Sequence, residues 1–232
     1  MTAPGHAAGE VNVDGLVGPL PAAGSRTIAP DLRGYSPGAR PQSAGAYTQA
    51  EVVADAVALL DAAEAEQAHI VGHDWGGAVA WGLASEHPDR VRTLTALSTP
   101  HPGAMRASFL RSRQLLQSYY VGLFQVPGLG EKLLEPDGRM FQLLERGLPP
   151  EKKAHYAERM REHGARVGAL NWYRGMARDM VRPSLRLHRI TRPTLYIWGA
   201  RDPALGRRAA EATRDFVTAE YEFVVLERVG HW

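Results

Sequence analysis

Residues Val71-Gly72-His73-Asp74-Trp75-Gly76-Gly77 constrain this chain more than any other stretch. An apolar run, His69 to Val71, enters a glycine-flanked turn, and a small-residue segment, Ala78 to Ser85, follows it. The pattern predicts a strand, a tight turn and a helix in that order. Gly72 and Gly76 let strand and helix approach closely, which pushes one side chain out of the turn beside backbone N–H groups. That side chain belongs to Asp74. An aspartate ahead of a helix is also an ordinary N-cap. A solvated cap, however, explains neither the strand before it nor the small and aromatic positions around it.

Turns of the Gly-x-Ser-x-Gly type carry serine at this apex. A carboxylate in its place can displace a leaving group from an sp3 carbon and form an ester, which water then cleaves at the aspartate's own carbonyl. That chemistry suits epoxides and alkyl halides better than amides. It needs a base for the water and an acid to orient the base, both at the C-terminal ends of later strands. Thr194 to Trp198 reads as a buried strand ending in Gly199-Ala200-Arg201-Asp202, and Tyr221 to Leu226 as a further strand followed by Val229-Gly230-His231-Trp232. Asp202 and His231 therefore stand where acid and base belong, and the order Asp74, Asp202, His231 suits this class of site. The plainer alternatives are a turn aspartate before Pro203 and an ordinary loop histidine. His73 is expected to point away from the pocket. His101 and His163 lie in loop-like or charged surroundings, and no His/Asp/Glu spacing suggests a metal.

At 232 residues the chain can hold one α/β domain with an insertion. Residues 1–25 form an atypical Gly/Ala/Pro-rich segment, with Glu10 to Val13 as a weak strand. Arg26 to Ala29 reads as a strand ending at Pro30. Thr48 and Glu51 match a capping box that opens a helix with Val52, Val53, Ala56, Val57 and Leu60 on its apolar face. Val91 to Leu97 is the next strand, closing a first α/β part at residues 26–98. Residues 99–192 change to mixed-charge helices with scattered aromatics, and 193–232 return to alternation, with Leu205 to Val217 as a helix. Strand–helix units interrupted by one helical block predict an α/β fold: a mostly parallel sheet flanked by helices and carrying a helical cap. The net charge of +2 includes no long Lys/Arg run, so neither nucleic acid nor an anionic membrane is an expected partner. No window has transmembrane length, and no signal-peptide pattern opens the chain. With no cysteine there is neither a disulfide nor a thiolate site, which fits the cytoplasm.

The chain resembles the α/β-hydrolase superfamily, specifically its epoxide hydrolase branch. The matching stretches are Ala29-Pro30-Asp31-Leu32-Arg33-Gly34-Tyr35, Gly72 to Gly77, Trp198-Gly199-x-x-Asp202 and Val229-Gly230-His231-Trp232. Tyr120, in Ser118-Tyr119-Tyr120-Val121-Gly122-Leu123-Phe124-Gln125-x-Pro127-Gly128, corresponds to the family's first cap tyrosine, and Tyr173, in Asn171-Trp172-Tyr173-Arg174, to the second. The resemblance implies that Asp74 attacks an epoxide carbon while Tyr120 and Tyr173 protonate the oxygen. His231, oriented by Asp202, then activates water, and the Trp75 N–H stabilises the oxyanion. The substrate would be a small apolar epoxide and the product a vicinal diol, with no metal or organic cofactor.

The chain departs from the family pattern too. A His-Gly-x-Pro loop normally completes the oxyanion hole; near residues 4–7 stands Pro4-Gly5-His6-Ala7 instead. The strand before that loop lies in the family between the strands at 26–29 and 69–72, so a gap in the sheet is expected. The far end stops just past the base, and on this pattern the chain reads as shortened at both ends. Losing one oxyanion donor alone costs about 10²–10³ in rate. Two alternatives follow. A haloalkane dehalogenase shares the Asp-Trp elbow, with the Trp75 indole N–H binding halide. A non-catalytic remnant would keep the lineage without the activity. The sequence is silent on oligomeric state and stereochemistry.

Overall fold

The computed structural model describes residues 2–3, 26–109 and 119–232. Five parallel strands form one sheet in the order β1 (Thr2–Ala3), β2 (Ala68–His73), β3 (Val91–Leu97), β4 (Thr194–Gly199) and β5 (Tyr221–Leu226). Ile70 of β2, Leu94 and Ala96 of β3, and Tyr196 and Trp198 of β4 are buried, as a sheet covered on both faces requires. Helix α1 (Gln49–Ala62) turns Val52, Val53, Ala56 and Leu60 inward. Helix α2 (Trp75–Glu86) is buried almost all round, and its small residues allow it to lie close against the sheet.

The expected strand at Arg26 to Ala29 is not formed; those residues run as irregular chain. The expected gap is also different. Among the described residues, Thr2 and Ala3 pair with Val71 and Gly72, so the slot beside β2 is not empty. The weak strand expected at Glu10 to Val13 lies outside the described residues, as does the Pro4-Gly5-His6-Ala7 segment.

The block after β3 is helical, as expected: α3 (Pro102–Phe109), α4 (Tyr119–Phe124), α5 (Leu129–Leu133), α6 (Arg139–Leu144), α7 (Pro150–Arg161) and α8 (Ala165–Val181). The first of these packs against the segment after β4, at Arg207–Ala212 and Thr213–Phe216, and the later ones make up the rest of the block, called the cap. Beyond β4, α9 (Arg207–Ala212) gives way to a 3-10 turn at Thr213–Phe216, so the predicted helix of 205–217 is shorter and broken. Polar links tie cap to core. Arg159 of α7 reaches Asp31 at 3.0 Å, Arg40 pairs with Glu162, and the Trp172 indole donates to the Arg33 carbonyl at 2.9 Å.

The capping box predicted at Thr48 and Glu51 is absent. Thr48 is the N-cap of α1 but its side chain makes no capping hydrogen bond. Instead Asp179 of α8 accepts from the Gln49 N–H at 2.6 Å, and the Ser184 hydroxyl accepts from the Ala50 N–H at 3.1 Å. Glu51 turns to Arg33, 3.5 Å away. The free donors of a helix start need an acceptor, and here the cap's own residues supply it.

Candidate active site

The turn between β2 and α2 is built around a close approach. A Cβ on Gly72 would lie 2.2 Å from the Gly76 carbonyl oxygen, so nothing larger fits. The cost of that tightness falls on Asp74, held at φ 52°, ψ −118°, a conformation worth about 1–3 kcal/mol of strain. Thr99 braces it: its hydroxyl donates to the Asp74 carbonyl at 2.8 Å, and its own carbonyl accepts from the Trp81 indole at 2.9 Å. The Asp74 carboxylate is thereby raised at the N-terminus of α2, beside the backbone N–H of Trp75.

Two later loops converge on it. A Cβ on Gly199 would sit 2.2 Å from the Gly230 carbonyl oxygen, so the Asp202 and His231 loops are pressed together. The Asp202 side chain is fully buried and its Oδ1 accepts from the Ala204 and Leu205 N–H groups at 2.8 and 3.0 Å. Its Oδ2 accepts from His231 Nδ1 at 2.8 Å. This fixes the imidazole so that Nε2 faces Asp74, with Oδ1 at 3.7 Å. Burial pulls the His231 pKa down, but the hydrogen bond it donates to Asp202 and the charges of Asp74 and Asp202 together carry it above its ordinary 6.5.

Tyr173 and Tyr120 close the site from the cap, their rings 5.8 Å apart and nearly perpendicular. Tyr173 also stands edge-on to Trp75 at 5.0 Å and to Phe124 at 4.9 Å. Burial, then the nearby Tyr120, Asp74 and Tyr35, hold its phenol well above 10, while a polar contact from Trp75 works the other way. A cavity of about 760 Å³ opens from Asp74 between core and cap, walled by Trp75, Tyr120, Trp172, Tyr173, Met176 and Leu205 among others. Among the described residues no group of three or more His, Asp or Glu side chains is placed to hold a metal ion. No helix among them is long and apolar enough to cross a membrane.

All six residues singled out in the sequence thus meet at one place: Asp74, Trp75 and the Asp202–His231 pair from the sheet, Tyr120 and Tyr173 from the cap. Several neighbours escaped sequence reading. His73 is not among the residues lining the cavity, as expected, but it supports the site from behind. Its Nε2 donates to the His231 carbonyl at 2.9 Å, and its ring lies 4.9 Å from that of His231. The Ser98 hydroxyl donates to the same carbonyl at 3.3 Å. Trp232 stands perpendicular to His231 at 5.0 Å and donates its indole N–H to the Leu144 carbonyl of the cap at 3.0 Å. His101 lies in a loop, as expected, but is fully buried there, stacked on Phe216 at 4.6 Å. Only its adjacency to the elbow could have flagged His73; nothing local marks the others.

A parallel sheet with a strained carboxylate elbow, a histidine–carboxylate pair after its last two strands and a helical cap defines a hydrolase of the α/β class. The family described as alpha/beta hydrolase fold matches residues 4–232. The chain is 32% identical over 226 residues to the AB hydrolase superfamily protein YfhM of Bacillus subtilis, covering 92% of this chain and 77% of that protein. It is equally 32% identical, over 249 residues, to Epoxide hydrolase A of Mycobacterium tuberculosis, covering 90% and 77%. The crystal structure of Epoxide Hydrolase A from Mycobacterium thermoresistibile superposes with a TM-score of 0.82 at 28% identity, covering 100% of this chain and 84% of the other. The chain belongs to the α/β-hydrolase family, among its hydrolases of the epoxide hydrolase type.

Proposed function

We propose that this protein opens an epoxide to a vicinal diol through a covalent ester on Asp74. The observation that carries the reading is the conjunction of a carboxylate at the elbow apex with two cap phenols above it. Carbon–oxygen cleavage then has a nucleophile on one side and proton donors on the other. Asp74 attacks one epoxide carbon, the C–O bond breaks, and the nascent alkoxide takes its proton from Tyr120 or Tyr173. Burial holds the Tyr173 phenol far above 10, so it is protonated and available as an acid, with Tyr120 beside it. His231 Nε2, 3.7 Å from the Asp74 carboxylate, is too far for a strong hydrogen bond and close enough to serve a water attacking the ester carbonyl. That water loses its proton to His231, the backbone N–H of Trp75 steadies the oxyanion, and the diol leaves as the Asp74 carboxylate returns.

The lining is largely apolar and aromatic, which suits an apolar epoxide. The relatives named epoxide hydrolase point the same way. The Trp75 indole lines the same cavity, and the dehalogenase reading would have it bind halide, so the test must separate the two. A His231→Ala variant is incubated with a reactive aryl epoxide, and in parallel with an alkyl halide. The expected result is a mass increase of one epoxide, mapped to Asp74 and lost in Asp74→Ala. Halide release with no epoxide adduct would transfer the reading to a dehalogenase. No adduct from either would leave a fold without this chemistry.

A further inference from the structure

The two phenols of the site come from different helices, Tyr120 from α4 and Tyr173 from α8. Phe124 packs between them: ring centroids lie 5.6 Å apart for Tyr120 and Phe124, 4.9 Å for Phe124 and Tyr173, and 5.8 Å for the two tyrosines. Apolar packing is non-directional, so these contacts hold the helices together without fixing their register. Two polar side chains supply the direction. Gln125, just past the end of α4, donates through Nε2 to the Val121 carbonyl at 3.0 Å and to the Tyr173 carbonyl at 3.3 Å. An amide nitrogen has two hydrogens to give. One goes to the neighbour of Tyr120 and the other to Tyr173 itself.

Arg174, beside Tyr173 on α8, reaches back the other way. Its Nε donates to the Phe124 carbonyl at the C-terminus of α4 at 3.0 Å, and its Nη2 to Glu131 Oε1 on α5 at 2.9 Å. Glu131 Oε2 accepts from the Gly128 N–H at 2.7 Å, so the turn between α4 and α5 is fastened as well. The Arg174 side chain is only 16% exposed. Burial opposes the Glu131 charge, but its hydrogen bonds and the Arg174 guanidinium hold the carboxyl below its ordinary 4.5. The pair therefore stays ionised at neutral pH. A carbonyl at a helix end needs a donor, and the rigid guanidinium fork presents one at a set angle.

We propose that Gln125 and Arg174 form a clamp that sets the spacing of the Tyr120 and Tyr173 hydroxyls, and so act as positioning residues for ring opening. Neither lines the main cavity; both act through the tyrosines. The inference rests on the function proposed above. Ring opening needs the phenols to converge on one oxygen while Asp74 meets the carbon, and a misplacement of about 1 Å can cost 10²-fold in rate. Ester hydrolysis asks nothing of the phenols, since it uses Asp74, Asp202, His231 and the Trp75 N–H. A clamp between cap helices therefore acts on one half of the reaction only.

The test separates the two halves in Gln125→Leu and Arg174→Met, which remove the donors and keep most of the bulk. Ester formation is read by rapid quench with aryl epoxide in the His231→Ala background. Ester decay is read with His231 intact, as turnover divided by the fraction of enzyme quenched as ester at saturation. Each variant should slow formation by roughly 10- to 10²-fold and leave decay unchanged. Arg174→Lys, which keeps the charge facing Glu131 and one donor, should recover part of the loss. The deficit should shrink for an epoxide whose alkoxide is stabilised by electron-withdrawing groups, because it needs the proton less. Formation at the parent rate in both variants would overturn the inference, as would formation and decay falling together. Should Gln125→Leu not fold, Arg174→Lys against Arg174→Met decides alone, and no difference between them overturns it. Absence of adduct in the parent instead strikes the proposed function itself.

Discussion

At the scale of single residues, the site depends on opposed influences meeting at His231. Burial alone would leave it a weak base with a low pKa; the hydrogen bond it donates to Asp202 and the two carboxylate charges reverse that. A general base acts when neutral, so ester hydrolysis should lose rate as pH falls through the His231 pKa of the ester, in which the Asp74 charge is gone and Asp202 alone opposes burial. Asp202→Asn removes the cause of the increase and leaves burial in place. The limb should then move to lower pH while the plateau drops by about 10²–10⁴, the usual range for loss of effective base catalysis. Stopped-flow turnover across pH 5–9 checks this; a variant whose limb stays put would mean that Asp202 does not set the basicity. Asp74, Asp202 and His231 were legible in the sequence because each follows a strand whose pattern is unmistakable. His73 and Trp232 were not. Their roles depend on how two loops far apart in sequence press together, and no local pattern carries that information.

Elements repeat the lesson. The interior strands β2 to β4 and helix α2 declare themselves through their buried apolar positions. The chain at 26–29 has the same look, yet pairs with no strand among the described residues, because an extended run becomes a strand only with a partner. The start of α1 shows tertiary context overriding a local signal in the opposite way. Thr48 and Glu51 have the spacing of a capping box, but Asp179 and Ser184, more than a hundred residues on, take the donors. Asp179 also accepts from the Ser184 N–H at 2.9 Å, so one carboxylate holds both the end of the cap and the beginning of α1. Asp179→Ala should cost about 1–2 kcal/mol, the range for losing a strong N-cap. Thr48→Ala should cost only a few tenths. Urea melts of the two variants decide it: equal losses would return the cap to Thr48.

Over the whole molecule, two buried groups push the pH dependence of stability in opposite directions. Burial lowers His101 to about 4: its Nδ1 accepts from the Gly103 N–H at 3.0 Å and its ring is sealed against Phe216 and Trp81. The unfolded chain binds a proton there below 6.5 and the folded one does not, so this histidine's contribution is whole above 6.5 and is lost as pH falls toward 4. That loss amounts to about 3 kcal/mol at 1.36 kcal/mol per unit. Glu145, raised to about 7, does the reverse. Its folded form holds a proton that the unfolded chain gives up near 4.5, so its contribution is whole below 4.5 and is lost as pH rises through about 7. Water screens that region in part, and the figure is nearer about 2 kcal/mol. Between pH 4.5 and 6.5 the two slopes oppose each other, and the protein should be flatter in stability than either group alone allows. His101→Asn, which keeps an acceptor near the Gly103 N–H, should expose the Glu145 slope, with stability falling as pH rises across that window. Glu145→Gln should expose the His101 slope, with stability rising instead. Urea melts at pH 4.5, 5.5 and 6.5 would show the two variants diverging in opposite senses from the parent. If all three chains ran parallel, neither burial would be setting the protein's tolerance of acid.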